Sequence, residues 1–158
     1  MSAKTWMTCA LLLAVNVLLV FLVEFFTAVG SGSASSGNAN PGGVLLVPGF
    51  VSLLLLMLMT FVVAVRYFDM LQDYIAKPSY HLLVPGLSVA ALLLALFLQL
   101  RKVKHALISL RGDDEPAIRS LGLVNMYTNS LYFNAYIVLF WLSFAVLGGW
   151  WVVQKRPN

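Results

Sequence analysis

Apolar residues fill four long stretches of the chain, about 6–29, 44–65, 82–100 and 132–153, and polar residues are largely confined to what joins them. Each stretch is near the ~20 residues that an α-helix, rising ~1.5 Å per residue, needs to cross about 30 Å of hydrocarbon. Within the stretches the pattern does not alternate. A membrane β-barrel strand switches between lipid-facing and lumen-facing residues over about 10 positions, whereas Leu53-Leu54-Leu55-Leu56 would place leucine on both sides. Helices satisfy their internal backbone groups within the segment, as hydrocarbon demands. The predicted architecture is all-α: a polytopic membrane protein whose residues 1–158 form a single domain of four transmembrane helices.

The joining segments refine this picture. Residues 30–43 are Gly, Ser, Ala, Asn and Pro without a charge and predict a flexible connector. Span 2 continues with Tyr67, Leu71, Tyr74 and Ile75 at helical spacing and Asp69 and Asp73 on another side, up to Pro78, with Ser79 placed to cap the next helix. Span 3 continues through Arg101 to Arg111, where Val103, Ala106, Leu107 and Leu110 face apolar surroundings while cations reach outward. Spans 2 and 3 thus carry amphipathic helical extensions. Gly112-Asp113-Asp114-Glu115-Pro116 reads as a helix-ending corner. Ala117 to Val153 then reads as one helix, which at ~1.5 Å per residue is about 55 Å long and must lie partly outside the hydrocarbon.

One five-residue string occurs twice, 37 positions apart: Leu45-Leu46-Val47-Pro48-Gly49 and Leu82-Leu83-Val84-Pro85-Gly86. Proline lacks an amide proton and is harmless only in a helix's first turn. The repeat therefore predicts the entrances of spans 2 and 3. A duplicated broken helix whose exposed carbonyls line a solute site is the alternative.

Composition agrees with the pattern. The chain is 61% hydrophobic and 10% charged, with a mean hydropathy of +0.90, whereas soluble domains carry about 25% charged residues. The apolar part of span 1 exceeds the roughly 7–15 residues of a secretory signal core, so it is expected to remain as an anchor. Cations divide equally between the two predicted sides: Lys4, Arg66, Lys77, Lys155 and Arg156 against Arg101, Lys102, Lys104, Arg111 and Arg119. The positive-inside rule therefore assigns no orientation. The net charge of +4 is spread over membrane-proximal regions, which fits anionic headgroups and not nucleic acid.

Candidate chemistry is sparse. Glu24 is the one acidic residue inside an apolar run, Asn16 lies mid-span eight residues earlier, and with Thr60 they make a candidate intramembrane polar site. Arg101, Lys102 and Lys104, with Tyr132, Tyr136, Trp150 and Trp151, are candidate interfacial lipid or headgroup contacts, because amphipathic rings and long cations settle at that depth. Tyr127, Tyr132 and Tyr136 with Asn125, Asn129 and Asn134 form the most polar aromatic stretch, expected as an interfacial aromatic belt, with a grip on a lipid or quinone headgroup as the alternative. Cys9 stands alone, and His81 and His105 lie about 36 Å apart along one helix, so no metal site and no cofactor is expected. No Ser-His-Asp set, P-loop or dinucleotide fingerprint occurs. The expected function is a non-catalytic accessory or structural subunit of a larger multi-subunit membrane complex, with the bilayer and other membrane subunits as partners. The alternative is a small homo-oligomeric ion or solute channel or transporter using Glu24 and Asn16.

Overall fold

A computed structural model describes residues 3–32, 41–74, 78–112 and 128–156, and the regular structure among them is entirely helical. The elements are α1 (Ala3–Gly32), α2 (Pro41–Tyr74), α3 (Pro78–Gly112), a single turn α4 (Asn129–Tyr132) and α5 (Ala135–Gln154). Four segments are long and apolar enough to cross a membrane: Ala3–Thr27, Pro41–Leu71, Leu82–Ala106 and Asn129–Gln154. By length and composition these are the spans of a multi-pass membrane protein. The middle of the connector, the acidic corner at 113–116, Asn125 and Tyr127 lie outside the described residues.

The spans alternate in direction. Gln99, late in α3, meets Asn134 just before α5. Late in both helices, Val153 of α5 shares a buried cluster with Ala64 and Phe68 of α2, against which Val84, early in α3, also packs. α5 packs along both α2 and α3, and α1 packs along α2. The helices therefore form a row, α1–α2–α5–α3, with the last span lying between two that are consecutive in sequence.

Small residues bring α2 and α5 together. A Cβ built on Gly149 would lie 2.7 Å from the Ala64 Cβ and 3.0 Å from the Val65 backbone nitrogen, so only glycine allows the helices to approach this closely. The larger core cluster, near the other end of these helices, joins Val20 and Val23 of α1, Leu46, Leu53 and Leu56 of α2, Phe133 and Val138.

Three local expectations are corrected. The repeat does not open its helices. Pro41 and Pro78 are the first residues of α2 and α3, so Pro48 and Pro85 are each the eighth residue, beyond the turn where proline leaves the hydrogen-bond ladder intact. The missing amides deprive the Val44 and His81 carbonyls of their ordinary partners. Ser79 is inside α3 and does not precede it, because Pro78 already has the backbone angle a helix start requires. The segment expected as one helix up to Val153 is broken at Phe133 and Asn134, both extended, with φ/ψ of −140°/107° and −154°/174°.

Candidate functional site

The break in the last span brings together two of the seven buried polar side chains among the described residues, Asn129 and Asn134. Asn129, Phe133 and Asn134 are fully buried. Unwound backbone at membrane depth must be enclosed by protein because lipid offers it no hydrogen bonds. Asn134 closes the break. Its Oδ1 accepts from the backbone amides of Tyr136 at 2.9 Å and Ile137 at 3.2 Å, capping α5. Its Nδ2 donates to the Ser130 carbonyl at 2.8 Å and to Gln99 Oε1 at 2.9 Å. Gln99 Nε2 in turn donates to the Leu131 carbonyl at 2.8 Å, tying α3 to both sides of the break.

The first turns of α2 form the seat for this break. A Cβ on Gly42 would come 2.7 Å from Asn129 Nδ2, and one on Gly49 would come 3.1 Å from the Phe133 ring. The copies of the repeat therefore serve different contacts. In the first, Gly49 is buried and Pro48 exposed; in the second, Pro85 is buried, Gly86 is exposed and no atom lies within 4 Å of a Cβ built on Gly86.

Beside the break is a cavity of about 300 Å³ between α2, α3 and α5, walled by Phe50, Tyr132, Tyr136, Phe140 and Trp141, with Gln99 as its amide. Tyr132 and Tyr136 meet there although the helix that was to align them is interrupted between them. Two ring pairs border the cavity: the Phe140 and Trp141 centroids are 5.6 Å apart at 89°, and Phe50 contacts the buried Phe133 edge-on at 5.9 Å.

The structure spaces out the other candidates. Asn16 is fully buried in the α1–α2 seam, where its Nδ2 donates to Ser52 Oγ at 2.9 Å and to the Leu12 carbonyl at 2.8 Å. Glu24 lies eight residues farther along α1, about 12 Å away by helical rise, and pairs with Lys102 of α3 at 2.8 Å. Thr60 is half-buried, eight residues beyond Ser52 in α2 and so about 12 Å along that helix. Arg101 and Lys104 are exposed. At the opposite end Trp151 is exposed beneath Lys155, whose Nζ lies 4.7 Å from its ring centroid, and Arg156 binds both Asp69 oxygens at 2.9 and 2.8 Å. Trp150 packs instead against the Ala64–Phe68–Val153 cluster. Asn16 Oδ1 and Trp150 Nε1 are buried without a hydrogen-bond partner among the described residues.

Sequence alone assigns Asn129 and Asn134 to an interfacial aromatic belt, whereas the structure buries both. The available signal was an amide at the end of each of two apolar runs, Gln99 closing the third and Asn134 near the start of the fourth. Among the described residues no group of three or more His, Cys, Asp or Glu could hold a metal ion. No family model, curated protein or solved structure matches the chain.

Proposed function

We propose that the protein is a non-catalytic structural subunit of a larger membrane assembly, packing against helices of other chains and contacting lipid headgroups through its terminal cations and tryptophans. The observation that carries this reading is the exposed outer side of α1, an edge helix of the row. α1 packs chiefly along α2, with lesser contacts to α4 and α5 and the Glu24–Lys102 pair to α3, and its outer side presents Ala10, Ala14, Val17 and Phe21, all exposed. At 100° per residue these four share a stripe roughly 120° around α1 from the buried Asn16, Val20, Val23 and Thr27. Small residues in such a stripe let a second helix approach closely, and close packing drives helix association where lipid removes the hydrophobic contribution.

The polar groups support the same reading. Asn16 with Ser52, and Gln99 with Asn134, join helices of this chain to each other. Thr27 and Ser88 donate to carbonyls four residues back in their own helices, at 2.6 and 2.9 Å. Glu24 is paired with Lys102 and lies about 12 Å along α1 from Asn16, a spacing that favours the subunit reading over a shared solute site.

A photo-reactive residue at Val17 tests the proposal in native membranes. It is expected to form an adduct with another polypeptide, and Ala14→Phe should abolish that adduct without changing thermal stability. Adducts with lipid alone, together with a purified chain that conducts ions until Glu24→Gln is introduced, would replace the subunit reading with the channel.

A further inference from the structure

We propose that the cavity beside the break is a binding site for a flat, uncharged ring bearing carbonyl oxygens on an apolar tail, the chemistry of a membrane-soluble quinone. The proposal is independent of the partner-helix reading, which concerns the far side of α1. Five of the nine lining side chains are aromatic, and none is Asp, Glu, Lys, Arg or His, so a charged headgroup finds no counter-ion there. The volume is about 300 Å³. An apolar cavity of about 150 Å³ takes one benzene ring, so the space admits a substituted ring and the start of a tail. Planar rings find stacked or edge-on partners among Phe50, Phe140 and Trp141.

Gln99 supplies the polar contact. Of its two amide protons, one is held by the Leu131 carbonyl, and its oxygen accepts from Asn134. An amide has two donors and two lone pairs, so one donor and one acceptor position remain toward a ligand. Because Asn134 and Leu131 fix the amide plane, the remaining donor is oriented before a ring enters. The opposite wall is open to change: Leu96 lines the cavity yet is 44% exposed, so the site can be filled from its rim without overpacking the core.

The test is a titration of the full chain in nanodiscs with a short-tailed 1,4-benzoquinone, following tryptophan fluorescence. Quinones quench nearby indoles, and Trp141 lines the cavity. Saturable quenching is expected above the linear background of partition into lipid. The saturable part should disappear in Trp141→Phe and in Leu96→Phe, and its midpoint should rise about tenfold in Gln99→Ala. Leu96→Phe keeps the test decisive if Gln99→Ala fails to fold. Purely linear quenching, equal in all variants, would overturn the proposal. So would displacement of the quinone signal by brominated phospholipid at ordinary bilayer content, which would make the cavity a groove for acyl chains. An unchanged midpoint in Gln99→Ala would remove the amide from recognition.

Discussion

Asn134 shows how much structure one side chain can hold when water is absent. It caps α5, reaches back across the break to Ser130 and crosses to Gln99 on α3. A lost cap costs about 0.5–2 kcal/mol, and an interhelical bond in a membrane averages about 0.6 kcal/mol. With the bond to Ser130, Asn134→Ala should lower stability by about 2–3 kcal/mol, measured by denaturant titration in detergent micelles. A loss under about 1 kcal/mol would mean that packing of Phe133 alone keeps the break in place. Glycines offer a second contrast at this scale. Gly149→Ala forces a methyl group into Ala64 and should cost about 1–3 kcal/mol. Gly86→Ala meets open space and should stabilise α3 by about 0.5–1 kcal/mol. Equal effects at both sites would refute the close approach of α2 and α5.

At the level of elements, hydropathy made the four spans legible because a hydrocarbon-crossing helix needs little beyond length and apolar side chains. The helical extensions after spans 2 and 3 were legible too, from apolar spacing that continued past the runs. The break at Phe133 and Asn134 was not legible. Tyr132, Tyr136 and their neighbours have ordinary helix periodicity, and the interruption depends on Gly42, Gly49 and Gln99, distant in sequence, which supply its seat and its partner. The repeat misled for a related reason: as a five-residue string it suggested a helix entrance. Its full frame is nine residues, Pro41 to Gly49 and Pro78 to Gly86, in which the first proline opens the helix and the second lies a turn or more inside. Pro48→Ala should therefore restore a backbone N–H that donates a hydrogen bond to the Val44 carbonyl. Because Pro48 is exposed, this should raise the stability of α2 by roughly 1–3 kcal/mol, read from the unfolding midpoint. A fall instead would show that the seat for Phe133 needs the proline-shaped turn.

Across the whole molecule, two ion pairs tie the helices near opposite ends of their length: Glu24 to Lys102 joins α1 to α3, and Asp69 to Arg156 joins α2 to the residue just beyond α5. Both pairs are partly exposed, so a double-mutant cycle over Glu24→Gln and Lys102→Met should give a coupling of about 0.2–1 kcal/mol that shrinks as salt is added. A coupling above about 2 kcal/mol would place the pair in a far drier setting. The charges of this pair were visible in sequence, but their partnership was not, since it depends on two parallel helices 78 positions apart meeting across α4. The row also constrains how the molecule is made. A ribosome delivers α2 and α3 as successive neighbours, yet the finished protein lets them touch only sparingly and packs both mainly against a helix synthesised after them. The first three helices are thus an unfinished scaffold. Gly42 and Gly49 have no Phe133 or Asn129 to receive, and Gln99 lacks its amide partner, until translation has supplied the fourth crossing.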